Sequence, residues 1–153
     1  MRDRSTTFRW HLRAVTRDAR KTTVFARTHQ FDAGAPLQFD IEDARISALE
    51  YALGGLVADI VGGLQALAKR RRVLVEQVEA RIEAELDNAL THLGVVGEQG
   101  APHLENVRVH VYAKSLEEEA RVREIWEEML RRSPLVSTLR RSVNLELRLN
   151  VTF

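Results

Sequence analysis

The segment ALGGLVADIVGGLQALAKRR, residues 52–71, decides how this chain folds. It is almost wholly apolar, yet it contains two Gly-Gly pairs and one aspartate, Asp59. No proline interrupts residues 42–71, and acidic residues at the start and basic residues at the end suit the helix dipole. The pattern predicts one long helix over residues 42–71.

This helix has two neighbouring stripes of different size when its residues are placed on a 3.6-residue period. The first stripe is small apart from one carboxylate, and we call it the small stripe: Ala48, Ala52, Gly55, Asp59, Gly62 and Ala66. The second stripe is uniformly large: Leu49, Leu53, Leu56, Ile60, Leu64 and Leu67. A helix that is apolar on most of its circumference is expected to be buried on most sides.

The four glycines of this helix need compensation, because each interior glycine costs about 1 kcal/mol relative to alanine. Small residues at every third or fourth position permit close backbone approach to another helix of the chain, or to a second copy in a symmetric dimer. A membrane span over residues 46–68 is disfavoured by Glu50, Asp59 and Gln65, since a mid-span aspartate costs about 2.5–3.5 kcal/mol.

Composition limits the function classes. With 153 residues, 44% hydrophobic and 29% charged, the sequence predicts one globular domain over residues 1–153. The 23 basic residues nearly balance 22 acidic ones, so nothing favours nucleic acid or a membrane as partner. The absence of cysteine excludes disulfides and nucleophilic sulfur chemistry. No signal-peptide pattern is visible, so a cytoplasmic protein is expected.

Period-two alternation predicts the strands. Residues 8–14 alternate apolar and polar side chains, which indicates a strand with one buried face. Residues 22–31 follow, and a turn at 32–36 leads into a short apolar segment at 37–41. Together these segments predict a three-stranded antiparallel meander.

The second half of the chain predicts three further strands and two helices. Residues 73–90 fit both a helix and a strand, and unbroken alternation from Gln77 to Asp87 favours the strand. Further strands are predicted at 107–113 and 142–153, and a loop is predicted at 91–106.

The helix at 115–132 opens with a capping-box pattern, Ser115 and Glu118, and its Trp126 is expected in the core. Ser133 and Pro134 then predict the N-cap and first residue of a short helix. The resulting order, β-β-β-α-β-β-α-α-β, is an α+β layout.

A helix entered through ALGG, preceded by a small antiparallel sheet and followed by Ser-Pro-Leu-Val-Ser-Thr-Leu at 133–139, resembles the OsmC/Ohr family. These are the osmotically inducible and organic-hydroperoxide-resistance proteins, and the resemblance covers about residues 23–153. It implies the OsmC-like fold, antiparallel sheets with a long buried central helix, and a strand at 73–88. It also implies an intertwined homodimer whose two central helices pack together, which the small stripe favours independently.

The resemblance also implies which positions should carry the chemistry. Family peroxidases have one cysteine directly after the ALGG-like turn and another immediately before the later proline, which are Leu56 and Ser133 here. Neither residue can form the thiolate that attacks a peroxide and is resolved as a disulfide. The family glutamate that activates the cysteine aligns near Ser47, and no arginine partner can be assigned. The resemblance therefore implies a member without thiol peroxidase activity.

Several polar residues remain as candidates for the former active-site pocket. Asp59 lies one turn after Leu56, and a buried carboxylate needs a partner. It is either a general base or, more commonly for buried acids, part of a structural hydrogen bond or salt bridge. The full set of pocket candidates is Leu56, Asp59, Ser133, Glu50 and Ser47. The five histidines are dispersed without ligand spacing, so neither a metal site nor a cofactor is predicted.

Two function classes follow. The first is a homodimeric binding protein that holds a small apolar ligand or partner in a pocket walled by Leu56 at the dimer interface. The second is an enzyme that uses Asp59 with a histidine or arginine for acid/base chemistry. A residual role in the response to organic hydroperoxides is a further alternative. The binding interpretation is favoured, because leucine in place of cysteine makes the pocket more apolar and removes its nucleophile.

Overall fold

The computed structural model of the protein describes residues 6–36, 38 and 43–153. The chain divides into two compact units, Met1–Tyr51 and Ala52–Phe153, and the single domain that the sequence predicts stays a prediction. The α+β class and predicted element order are confirmed, with one added short helix, α2. The elements are β1 (Leu12–Asp18), β2 (Lys21–Ala26), β3 (His29–Gly34), α1 (Ala48–Arg70), β4 (Gln77–Asp87), α2 (Ala89–His92), β5 (His103–Lys114), α3 (Glu119–Arg132), α4 (Pro134–Leu139) and β6 (Asn144–Thr152).

The predicted antiparallel meander is confirmed in the first unit, with strand order β1-β2-β3. The strand positions differ from the prediction, because a turn at Arg27, whose φ is 56°, splits the predicted strand 22–31. Arginine rarely adopts this left-handed conformation, which is more typical of glycine or asparagine. The sequence therefore gives no sign of a turn at this position. Of the predicted strand 37–41, only Gln38 is described, and it is not in a strand.

The first sheet has little buried surface in the single chain. Every residue of β1 is exposed, and Phe8 and Trp10 are 80% and 78% exposed. The buried face predicted for residues 8–14 is therefore wrong for the single chain, and the strand itself begins at Leu12. Alternation identifies which side chains share a face, whereas burial depends on whether another layer covers that face.

Helix α1 begins at Ala48 rather than at residue 42, because a capping box lies directly before it. The Ser47 Oγ accepts a hydrogen bond from the Glu50 N–H at 3.2 Å, and the Glu50 Oε1 accepts one from the Ser47 N–H at 3.0 Å. Asp43, predicted in the first turn, instead accepts hydrogen bonds from the backbone N–H groups of Arg45 and Ala35 at 2.9 and 3.0 Å. These two bonds, Arg45 first, lower the pKa of Asp43 below its usual value.

In the second unit α1 and the sheet β4-β5-β6 form one core. Strand β4 runs antiparallel to β5, and β6 runs parallel to β5. The large stripe of α1 contributes Leu56, Ile60 and Leu64, all fully buried, to a cluster with the inward-facing valines of β5. The small stripe lies beside the large one on the helix surface and is mostly exposed in the single chain: Ala48, Ala52, Gly55, Gly62 and Ala66.

By length and composition alone, α1 is long and apolar enough to cross a membrane, and 28% of its most apolar 18-residue stretch is buried. Core helices of soluble proteins can be equally long and apolar. Its large stripe belongs to the core cluster of the second unit.

Three predictions for the later elements have different outcomes. The strand at 73–90 is confirmed as β4, and Trp126 is 4% exposed in the core as expected. The capping box at Ser115 is wrong, because α3 begins only at Glu119 and makes no side-chain cap bond. The Ser115 hydroxyl instead donates to the Leu74 carbonyl at 2.6 Å and accepts from the Glu117 N–H at 3.1 Å.

Candidate functional site

Asp59 and Ser133, 74 residues apart in sequence, meet in the second unit. Asp59 projects from the small stripe of α1, and Ser133 lies between α3 and α4. The Ser133 Oγ donates a hydrogen bond to the Asp59 Oδ2. The partner of Asp59, which the sequence leaves open, is therefore a hydroxyl group rather than a cation within the part of the chain that the structure describes.

Ser133 is held in place by its position between two helices. Its backbone N–H donates to the Met129 carbonyl at 2.9 Å and so closes α3. Its Oγ accepts a hydrogen bond from the Val136 N–H at 3.1 Å, which caps α4, and Pro134 follows as the first helical residue. The predicted N-cap role of Ser133 is confirmed, and the residue is only 5% exposed.

A cleft of about 150 Å³ lies beside this pair of side chains. Most of the lining is apolar or small: Gly63, Ala66, Leu67, Met129 and Pro134. The charged or polar lining residues are Asp59, Arg70, Arg132 and Ser133. The cleft thus combines apolar walls with a hydrogen-bonded acid and two guanidinium groups.

An ion-pair network includes Arg132, one of the residues that line the cleft. Glu128 accepts a hydrogen bond from Arg71, just after α1, and forms an ion pair with Arg132 at the end of α3, each with an N–O distance of 2.7 Å. The hydrogen bond from Arg71, followed by the charge of Arg132, holds the pKa of Glu128 below its usual value. Glu128 therefore stays charged at neutral pH and pairs with the guanidinium of Arg132, although Glu128 is not among the residues that line the cleft.

The other predicted pocket residues are not among those that line this cleft. Leu56 is fully buried in the core and is not among the residues that line the cleft. Ser47 and Glu50 form the capping box of α1. Of the five candidates, Asp59 and Ser133 are the two among the residues that line the cleft.

Sequence reasoning missed the other residues of the cleft, among them Arg70, Met129 and Arg132. One signal for Arg70 was present, because Asp59, Gly63, Ala66 and Arg70 repeat at intervals of three or four on one helix face. The two residues of α3 carried no such signal, since their approach to α1 depends on tertiary packing.

The glycines of α1 differ in what surrounds them. A Cβ atom added at Gly63 would lie 3.2 Å from the Cγ of Met129, so this glycine permits close approach of α3. Among the described residues, no atom lies within 4 Å of a Cβ added at Gly54, Gly55 or Gly62. Contacts within the described chain therefore explain only one of the four glycines.

The hydrogen bonds of Ser133 limit its chemistry. Its proton is directed to Asp59, and its oxygen accepts the Val136 N–H. A serine nucleophile needs a base and a lone pair directed at the substrate. The observed arrangement therefore favours a structural role for the pair.

Residues 41–148 match the family model described as OsmC-like protein. No curated protein sequence matches the chain. An OsmC-like protein of Mycoplasma pneumoniae is similar in structure, with a TM-score of 0.75, 17% identity, and coverage of 95% of this chain and 96% of that chain. The organic hydroperoxide resistance protein OhrB of Bacillus subtilis gives a TM-score of 0.64 at 16% identity, covering 94% and 98%.

A third solved structure carries a bound molecule. It is a putative organic hydroperoxide resistance protein of Vibrio cholerae with captopril in one of its active sites, and it gives a TM-score of 0.67 at 12% identity, covering 97% of both chains. At these identities the three structures show the shared fold. The family model spans well over half of the sequence. The chain therefore belongs to the OsmC-like protein family.

Proposed function

We propose that this chain is a homodimeric, cytoplasmic binding protein that holds a small, mainly apolar organic molecule in the cleft beside Asp59. The observation that carries the proposal is the hydrogen bond from Ser133 to Asp59 beside apolar walls. By the family resemblance, Ser133 occupies the position of a catalytic cysteine. At that position the chain has a hydroxyl that is hydrogen-bonded to Asp59 in place of a reactive thiol, and a cleft lies next to it.

The proposal excludes thiol peroxidase activity. The chain has no cysteine, and reduction of a hydroperoxide by this family's chemistry requires a thiolate that becomes a sulfenic acid. We expect no consumption of tert-butyl hydroperoxide above background when dithiothreitol is the reductant. Turnover that depends on the protein would contradict this part of the proposal.

The cleft lining suggests the ligand class. Leu67, Met129 and Pro134 provide apolar contact, and Arg70 and Arg132 bring guanidinium groups, of which that of Arg132 is also paired with Glu128. Such a lining suits a short organic molecule with one anionic group, because guanidinium groups bind carboxylates through paired hydrogen bonds. A molecule of captopril occupies an active site of the Vibrio cholerae relative, which supports organic ligand binding at the corresponding place.

The dimer proposal rests on surfaces that the single chain leaves open. The small stripe of α1 is mostly exposed, and three of the four glycines of this helix have space beyond the Cα atom. The apolar side chains of Phe8 and Trp10 are exposed as well. A second copy that covers these surfaces would compensate for the glycines and remove the apolar groups from water.

Native mass spectrometry tests both parts of the proposal in one measurement. We expect a dimer that retains a reproducible extra mass or binds added octanoate. The variant Arg132→Ala should weaken octanoate binding, whereas Arg131→Ala, the neighbouring arginine outside the cleft lining, should not. A dimer that binds no octanoate and carries no extra mass would overturn the binding proposal, and a monomer would overturn the dimer.

The acid/base alternative has a test of its own, because the Ser133–Asp59 hydrogen bond also resembles a nucleophile beside a base. Hydrolysis of p-nitrophenyl acetate should be equal for the wild type and Ser133→Ala if the pair is structural. A rate that falls with Ser133→Ala and depends on Asp59 would favour the enzyme.

A further inference from the structure

We propose that Asp87, His103 and Glu105 form a binding site for a divalent transition-metal ion, with zinc as the ion to test. The three side chains lie at one end of the β4–β5 pair, on different residues from those that line the cleft at Asp59. One ligand atom from each residue lies within 4.8 Å of the others. This inference does not depend on the proposed ligand-binding function.

Strand pairing brings the three residues together. Asp87 is the direct partner of His103 across the antiparallel pair. Side chains that face each other in this way have Cβ atoms about 4.5–5.5 Å apart. Glu105 lies two residues further along β5 on the same side, and its Oε2 is 2.7 Å from the His103 Nε2.

A β-bulge determines which way these side chains point. Ala84 pairs with Val107 and Leu86 pairs with Leu104, so two steps along β4 correspond to three steps along β5. The extra residue reverses the alternation: Val107 is buried, whereas His103 and Glu105 are exposed. Without the bulge, His103 would share the core-facing side of Val107, because residues an even number apart lie on one face.

Hydrogen bonds orient the imidazole for metal binding. The His103 Nδ1 lies 2.8 Å from the Ala101 carbonyl oxygen. Because a carbonyl and a carboxylate oxygen can each only accept, both ring nitrogens donate in the metal-free site, and a metal ion would take the place of the Nε2 proton directed at Glu105. Histidines that bind metals commonly use a backbone carbonyl in this way to fix the tautomer and ring orientation.

Asp87 is positioned by the same loop. The Asn88 amide donates to the Asp87 Oδ2 at 3.1 Å and to the Ala101 carbonyl at 3.4 Å. Asn88 packs so closely on Gly100 that a Cβ atom there would lie 2.5 Å from its Oδ1. The residues around the site therefore hold two of the three ligands in place.

The charges at the site attract a cation. Among the described residues, neither Asp87 nor Glu105 forms an ion pair with an arginine or lysine, and the imidazole of His103 is the partner of Glu105. Elsewhere on the same sheet, Glu85 pairs with Arg108 and Glu76 with Lys114. Two carboxylates beside an imidazole repel each other less when a metal ion lies between them.

The ligand types indicate which metal ions fit. One imidazole nitrogen and two carboxylate oxygens suit zinc, cobalt, nickel or manganese, whereas magnesium and calcium prefer oxygen ligands alone. Three protein ligands leave one tetrahedral position to water. The side chains of His103 and Glu105 are 49% and 51% exposed, so the ion would be accessible to solvent and to chelators.

The test is isothermal titration calorimetry of the metal-free full chain with zinc chloride, with magnesium chloride as a comparison. We expect one zinc ion per chain and no heat with magnesium. His103→Ala and Asp87→Asn should each weaken zinc binding by about tenfold or more, the loss typical of damaged metal sites. His92→Ala, which removes an exposed histidine of α2, is the matched control and should bind zinc like the wild type.

A second measurement locates the ion without any substitution. In amide NMR spectra of the wild type, zinc should shift or broaden the signals of residues 87, 88 and 103–105 and leave those of 59 and 133 unchanged. Absent zinc binding would overturn the proposal. So would binding that survives in both ligand variants, binding that His92→Ala weakens equally, or spectral changes confined to other residues.

Discussion

At the scale of single residues, the Ser133 hydroxyl makes two hydrogen bonds, one within its own helix start and one to a distant side chain. Its oxygen satisfies a backbone N–H at the start of α4, and its proton satisfies the carboxylate of Asp59. The N-cap role can be predicted from the sequence, because Ser followed by Pro is a local helix-start signal. The bond to Asp59 cannot be predicted locally, because its partner lies 74 residues away.

Removing this hydroxyl should therefore affect stability. We expect Ser133→Ala to lower the free energy of unfolding by about 1–3 kcal/mol, because a helix cap is lost and a part-buried carboxylate loses its partner. Urea denaturation followed by circular dichroism measures the change. Ser137→Ala, an exposed serine of α4, is the control and should change stability by less than about 0.5 kcal/mol. Equal effects of both substitutions would contradict the double role of Ser133.

At the scale of elements, two identical sequence patterns have different outcomes. Ser47 with Glu50 and Ser115 with Glu118 both have the spacing of a capping box, yet only the first pair forms one. Ser115 is instead engaged by tertiary contacts, since its hydroxyl donates to the Leu74 carbonyl and its N–H to the Thr152 carbonyl. Local patterns therefore predicted the presence of α1 and α3 correctly, but they did not predict the residues at which these helices begin.

The capping box of α1 makes the stability of the fold depend on pH. Hydrogen bonds from the backbone N–H and side chain of Ser47 lower the pKa of Glu50 below its usual 4.5. A lowered folded-state pKa adds stability that is fully present above pH 4.5 and is lost as the pH falls through the folded value. Glu50→Gln keeps an acceptor but has no charge, so its melting temperature should lie below that of the wild type at neutral pH and converge with it in acid. A difference that stays constant across this range would contradict the assignment.

The buried face of α1 gives a further prediction at this scale. Leu64 is fully buried in the core cluster, so Leu64→Ala should lower the free energy of unfolding by about 2–5 kcal/mol through lost burial and the cavity left behind. Leu74→Ala is the control, because that side chain is 62% exposed and should change stability much less. Denaturant unfolding of both variants measures the contrast. Similar losses would show that the large stripe does not carry the core.

At the scale of the whole molecule, the sequence predicted the class and element order because period-two and 3.6-residue patterns are long and regular here. Features made by single backbone positions escaped it, namely the turn at Arg27 and the bulge that turns His103 outward. The extent of burial escaped it too, since apolar patterns do not say whether the covering layer belongs to the same chain. The exposed small stripe is the clearest case, because its residues are small and apolar and yet lie on the surface of the single chain.

Gly62→Leu separates the two explanations of the small stripe. In the single chain a Cβ atom added at Gly62 has nothing of the described residues within 4 Å apart from the nearby backbone of its own helix, and replacing glycine within a helix should raise stability by about 0.5–1 kcal/mol. In the proposed dimer the same side chain would hold two helices apart, so the wild type should be dimeric and the variant a folded monomer in light scattering. Ala120→Leu, which adds the same side chain at an exposed position of α3, should remain dimeric. A dimeric Gly62→Leu variant would place the interface elsewhere, because helices packed through glycine leave no room for a leucine side chain.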